Sequence, residues 1–164
     1  MREQIEAHLG RPLPDAWEEP FSQAYWALID AELQPVAGVR EVLRRLPVPF
    51  CVASNGSHEK ITRELTVTGL MPLFEDCVFS ADDVGVPKPD PALYLYAAKQ
   101  MGAVPAASAV VDDSAFGIEA ARRAGMRSYG YAGSVTPAER LQGPGTTVFS
   151  DMAELLRLLG FPES

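Results

Sequence analysis

From about residue 35 onward, short apolar runs alternate with stretches whose apolar residues recur every three or four positions. The runs predict strands at Phe50–Ser54, Cys77–Ser80, Ser108–Asp112, Arg127–Tyr131 and Thr146–Phe149. The three-and-four spacing predicts helices near Gly38–Leu46, His58–Thr68, Pro91–Met101, Ala115–Ala124 and Asp151–Leu159. Strands that alternate with helices predict a parallel sheet covered on both faces, the doubly wound α/β class. Residues 1–34 follow a different pattern and read as all-helical. From Asp15 to Leu33, the residues Trp17, Phe21, Tyr25, Leu28 and Ile29 keep helical spacing, with Asp15 placed as N-cap and Pro20 in the first turns. The expected division is therefore 1–34 and 35–164.

Composition narrows the function classes. The 164 residues are 47% hydrophobic and 22% charged, ordinary values for a globular chain of about one domain. A net charge of −8 argues against nucleic-acid binding, which needs a basic face. It also requires any site for an anionic substrate to be locally electropositive. The two cysteines, Cys51 and Cys77, lie in strand-like runs and read as reduced core thiols of a cytoplasmic protein. No apolar run approaches the roughly 20 residues of a membrane span. The opening Met1-Arg2-Glu3-Gln4-Ile5-Glu6 is too polar for a secretory signal.

Ligands of doubly wound sheets bind at the carboxyl ends of the strands, and three segments lie at or near such ends. The run Ala109-Val110-Val111 stops at Asp112-Asp113-Ser114, and a small-residue helix follows at once. Adjacent carboxylates at a strand end suit Mg²⁺, which takes hard oxygen ligands. The same residues also serve as helix caps, since Asp113 or Ser114 would satisfy the free amides of the helix through Ala120. Ser54-Asn55-Gly56-Ser57 combines a hydroxyl, free amides and a helix start, which makes either an anion cradle or a simple capped turn. Lys88 stands between Pro87 and Pro89 on a stiff stem, a preorganised ammonium for phosphoryl charge or a solvated loop lysine. Asp90 and Pro91 read as N-cap and first helical residue. His8 and His58 are assigned no role, and Asp83 is placed at the rim of the site.

In order and spacing, Ser54, then Lys88, then Asp112-Asp113-Ser114 resemble the second, third and fourth motifs of the haloacid dehalogenase (HAD) superfamily of phosphohydrolases. Lys88-Pro89-Asp90-Pro91, together with Val111 through Ser114, Gly117, Ala120-Ala121 and Ala124-Gly125-Met126, resembles the subgroup with a helical cap. That subgroup includes β-phosphoglucomutase, phosphoglycolate phosphatase and sugar-phosphate phosphatases. The Ser-Asn-Gly turn and the Asp-Asp-Ser form are most similar to bacterial phosphatases acting on phosphogluconate-like sugar acids. The resemblance covers roughly residues 35–160, and 1–34 is similar to the last helices of the cap. It implies a Rossmann-like doubly wound core over 35–164 with a partial N-terminal helical cap over 1–34. It also implies catalytic roles for Lys88 and Ser54, phosphate binding by Ser54, Asn55, Gly56 and Lys88, and Mg²⁺ ligation by Asp113 with Asp112 its partner.

In that family the nucleophile and the general acid/base are two aspartates of an Asp-x-Asp motif ending the first strand, ahead of the cap. No Asp-x-Asp ends an apolar run in this chain. Transfer through an aspartyl phosphate requires the nucleophile, whereas Lys88 and Mg²⁺ position and stabilise. The expectation is a Mg²⁺-dependent phosphatase of small phosphorylated metabolites with little or no turnover in this form and a weak, mostly water-ligated metal. The alternative is a non-catalytic module that holds a phosphometabolite or a protein partner. By the same resemblance, a central strand is missing between those ending at Ser54 and Asp112. Orphaned backbone groups there would cost roughly 1–3 kcal/mol each. So the two strands are expected to close together, to receive a strand from another chain (a homo-oligomer through unpaired sheet edges included), or Met1 is an internal start preceded by roughly fifty residues.

Overall fold

The computed structural model describes residues 2–14, 16–17, 19–74, 77–133 and 135–162. The chain divides into two compact units, Met1–Leu33 and Gln34–Ser164. The first holds α1 (Arg2–Leu9) and α2 (Glu19–Glu32). The expected cap Asp15 lies outside the described residues. Helix α2 starts later than the periodicity suggests, with Pro20 in its first turn, where a missing N–H costs no intrahelical bond. Trp17 therefore precedes the helix and meets Phe21 edge-on at 6.3 Å. No helix among the described residues is long and apolar enough to cross a membrane.

The second unit carries α3 (Val39–Arg45), β1 (Val52–Ser54), α4 (His58–Val67), β2 (Val78–Ser80), α5 (Ala92–Gln100), β3 (Ala109–Asp112), α6 (Ala115–Arg123), β4 (Arg127–Tyr131), α7 (Ala138–Leu141), β5 (Thr146–Phe149) and α8 (Leu155–Leu158). Every strand pairing is parallel. The strands form two sheets, β1–β2 and β3–β4–β5, with no ladder joining β1 to β3. Of the outcomes expected for that place, closure of the two strands onto each other is not what the structure adopts.

Side-chain layers hold the two sheets in one body. Val110 of β3 pairs in register with Ser128, so Val110 and Tyr129 face opposite sides of the sheet. On the Val110 side, Tyr94 and Ala98 of α5 and Ala120 and Ala121 of α6 form a buried cluster, and Ala53 of β1 packs against it. Alanines on α6 let the helix approach the sheet closely, and Gly125, at φ 71°, ends it as its sequence position predicts. On the Tyr129 side, Val42 of α3 and Leu155 and Leu156 of α8 pack with Phe149 and Met152. Arg40 ties α3 to the end of α4, donating to the carbonyls of Thr68 (2.7 Å) and Gly69 (2.8 Å).

Helix α7 was not evident from periodicity, since one turn is too short to show it. It is fixed by Leu141, fully buried, whose side chain lies where a Cβ on Gly130 of β4 would stand. Leu141→Ala should lower the unfolding free energy by about 2–5 kcal/mol, the usual cost of emptying a buried leucine site. A urea midpoint unchanged within error would contradict this packing.

Candidate active site

The predicted segments converge on the ammonium of Lys88. Its Nζ donates to Asp112 Oδ2 at 2.8 Å, to the Ala53 carbonyl at 3.2 Å and, more weakly, to Tyr94 Oη at 3.4 Å. The Tyr94 ring lies beneath it, 5.3 Å from Nζ to the ring centroid. Lys88 and Asp112 keep only 9% and 11% side-chain exposure, so this pair is nearly withdrawn from solvent. Such a pair is held only if its remaining hydrogen-bonding capacity is also met. Asp112 meets that condition. Oδ2 accepts from Lys88 and from Tyr94 Oη (2.8 Å), and Oδ1 accepts from the Ser114 N–H (2.8 Å) and Ser114 Oγ (2.7 Å). Burial pushes the Asp112 carboxyl up, but the Lys88 charge and these bonds outweigh it and hold it below the usual carboxylate range. Burial first, and the neighbouring Asp112 carboxylate second, raise the Tyr94 phenol well above its ordinary value, so Tyr94 stays protonated and donates.

Local sequence explains these positions. Ser114 caps α6, its Oγ accepting from the Gly117 N–H at 3.0 Å. Gly117 must be glycine, because a Cβ there would overlap the Asp112 carboxyl group. Asp90 takes the Ala92 N–H at 2.9 Å and starts α5, which brings Tyr94 beneath Lys88. The Lys88–Pro89 bond is cis.

The Ser54–Ser57 loop is fastened from three sides. Ser54 Oγ accepts from the Gly56 N–H at 3.1 Å, and Ser57 caps α4. The Asn55 carboxamide is taken up by the Lys88 backbone: Oδ1 accepts from its N–H (2.8 Å) and Nδ2 donates to its carbonyl (3.2 Å). Ser80, fully buried, donates from Oγ to the Gly56 carbonyl at 2.7 Å. Asp83 accepts from the Ser80 N–H at 2.8 Å and pairs with His58 Nε2 at 2.8 Å. So Lys88 joins Asp112 to the Ala53 carbonyl, one residue before Ser54, Asn55 orients Lys88 from behind, and Asp83 and His58 brace the loop at its rim. Asp113 is exposed just before the α6 cap.

For Mg²⁺, the expected ligands are Asp113 and Asp112. Asp112 has its four acceptor positions filled by protein donors, and no group of three His, Cys, Asp or Glu side chains suited to a metal occurs among the described residues. The donor set as it stands does not fit a protein-ligated Mg²⁺ centre. Sequence reading missed Tyr94 and Ser80, named Gly117 only within the resemblance, and gave His58 no role. A tyrosine among buried helix residues needs a partner for its hydroxyl, and a glycine in a first helical turn signals close packing. Both signals were present. Ser80 and His58 carried none.

The serine, the lysine and the paired acids thus all stand at or beside strand ends of a parallel α/β core. The family model for haloacid dehalogenase-like hydrolases matches residues 1–125, and the chain belongs to that family. The chain is 32% identical over 131 residues to the 6-phosphogluconate phosphatase of Escherichia coli K12, covering 80% of this chain and 59% of that one. It thus spans about three-fifths of that relative's length. A haloacid dehalogenase-like protein of unknown function from Agrobacterium tumefaciens superposes with a TM-score of 0.82 at 34% identity, covering 96% of this chain and 74% of that one. A HAD family hydrolase from Deinococcus radiodurans, solved with bound phosphate and sodium, gives a TM-score of 0.78 at 28% identity, covering 97% and 73%.

Two outcomes follow from the geometry. Gly117→Ala should displace the Asp112 carboxylate and cost about 1–3 kcal/mol by overpacking, despite the better helix propensity of alanine. A stabilised variant in chemical denaturation would contradict the contact. The Asp83 carboxyl is held below its usual range, chiefly by the His58 hydrogen bond and then by the Ser80 amide. Its contribution to stability is complete above the ordinary carboxylate value of about 4 and is lost as pH falls through the lower folded value. The stability gap between the native protein and Asp83→Asn, no more than about 1 kcal/mol for an exposed pair, should therefore shrink between about pH 5 and pH 2.

Proposed function

We propose that this core is the phosphate-handling half of a phosphatase acting on small phosphorylated sugars or sugar acids, and that in the 164-residue form it holds a phosphoryl group with little turnover. The observation that carries this reading is the meeting of Lys88 Nζ with Asp112 at 2.8 Å and with the Ala53 carbonyl beside Ser54 at 3.2 Å. The relatives add the substrate class, since one is a 6-phosphogluconate phosphatase. Ser54 would donate its hydroxyl to a phosphoryl oxygen, its own lone pair already engaged by the Gly56 N–H. Lys88 would supply positive charge from a fixed position, with Asn55 and Tyr94 keeping it there. No Asp-x-Asp ends an apolar run, and the group that meets Ser54 Oγ is the Gly56 N–H, a donor and not a base. Binding without efficient transfer is the consequence.

With 4-nitrophenyl phosphate and Mg²⁺, hydrolysis should stay near the buffer rate. Orthophosphate should bind measurably by calorimetry, and Ser54→Ala should weaken it about tenfold, the value of one hydrogen bond to a charged group. Because Asp112 has its acceptor positions taken by protein donors, EDTA should change that affinity by no more than about twofold. Robust Mg²⁺-dependent turnover that vanishes in Asp113→Ala would overturn the reading.

A further inference from the structure

We infer that Cys51 and Cys77 form a dithiol modification site, which takes a small-molecule disulfide and closes as an intramolecular Cys51–Cys77 bond beneath α5. This rests on strand register and not on the phosphatase reading. Both residues are free thiols and half-buried. Cys51 directly precedes β1, and Cys77 directly precedes β2. Val52 stands opposite Val78, and the Val52 N–H goes to the Cys77 carbonyl at 2.9 Å. One step back in the same register, Cys51 stands opposite Cys77. Neighbouring strands lie about 4.8 Å apart. That spacing falls inside the Cα separation of roughly 4.4–6.8 Å that a disulfide spans.

The side chains agree in direction. Alternation along a strand puts Cys51 on the face of Ala53 and Cys77 on the face of Phe79. Helix α5 covers that face. Ala53 packs on the cluster that holds Tyr94 and Ala98, and Phe79 meets Tyr96 edge-on at 5.8 Å. Just ahead of the strands, Phe50 meets Phe74 edge-on at 5.4 Å, and the Cys77 N–H goes to the Phe74 carbonyl at 2.7 Å. This clasp holds the two strand entries together, so the thiols are set side by side before any reagent arrives.

Burial, and after it the neighbouring Cys77, pushes the Cys51 thiol up to about 11. Near neutral pH Cys51 is therefore a protonated thiol, and Cys77 is the group that attacks first. Its thiolate sulfur bonds to one sulfur of the small disulfide and expels the other as a thiolate. Cys51 then releases its proton, attacks the Cys77 sulfur and expels the second small thiol. The protein loses two electrons and two protons, and one small disulfide becomes two thiols. The closed product carries no ionisable group at a place where burial opposes charge. A thiol of high pKa also leaves slowly, so the bond is slow to reopen by attack at Cys77. Closure ties the start of β1 to the start of β2, and β1 is the strand that carries the Ala53 carbonyl to the Lys88 ammonium.

The test treats the full chain with oxidised glutathione and reads intact mass, peptide maps and amide exchange by mass spectrometry. The native chain should lose two hydrogens and yield a joined Cys51–Cys77 peptide pair, in excess of the glutathione adduct by at least about tenfold. Cys51→Ser should stop at the glutathione adduct on Cys77. Cys77→Ser should gain its adduct on Cys51 at least about tenfold more slowly. In the closed form, the amides of β1 and β2 should exchange more slowly and those of β4 at the same rate, and dithiothreitol should reverse the change. Stable adducts on both cysteines of the native chain, a bond joining two chains, or a Cys51–Cys77 bond that forms only in urea would each overturn the inference.

Discussion

The nearly dry contact between the Lys88 ammonium and the Asp112 carboxylate is the constraint on which the rest of the site depends. Neither ion tolerates that position alone; removing one partner of such a pair costs about 3–5 kcal/mol. The surrounding residues can be read as answers to that cost. Tyr94 and both donors of Ser114 complete the carboxylate, the Ala53 carbonyl takes a second lysine proton, and Asn55 fixes the lysine backbone. Gly117 exists to leave room for the carboxyl group. Chemistry and folding are thus tied to the same atoms, and the strand ends bearing Ser54 and Asp112 stay near each other without sharing a ladder.

Much of the fold was legible in the sequence, because parallel strands with helices on both faces leave continuous apolar runs. The runs ending at Ser54, Ser80 and Asp112 became β1, β2 and β3, each one or two residues shorter than its apolar run. The lost residues, such as Phe50 and Ser108, are apolar or small but lie before the ladder begins. Hydrophobicity marks burial rather than pairing, so it could not show that β1 and β3 would sit in different sheets. Helix α7 escaped for a related reason: a single turn gives no period to detect, and its place is set by a glycine on β4.

The site was legible in residue type and only partly in role. A lysine between prolines and two acids at a strand end announced a charged centre. Asn55 read as a phosphate contact because a turn asparagine and a ligand asparagine look alike. In the structure its carboxamide bonds the backbone N–H and C=O of Lys88, 33 positions away. Asp112 reads as the partner of a metal ligand, and in the structure its carboxylate is met by Lys88, Tyr94 and Ser114. Those donors come from the loop before α5, from α5 itself and from the cap of α6, none of which the letter at position 112 reveals.

Ser114 does two jobs with one oxygen. It gives its proton to Asp112 and accepts the Gly117 amide. The orientation of the carboxylate and the first turn of α6 are therefore a single mechanical unit, and the hydroxyl chemistry cannot be divided. An aspartate at that position would cap the helix equally well but would set a second negative charge against Asp112, and an asparagine would need two different atoms to do both tasks. Threonine alone preserves donor and acceptor on one atom, so drift at this position is confined to the two hydroxyl residues of suitable length.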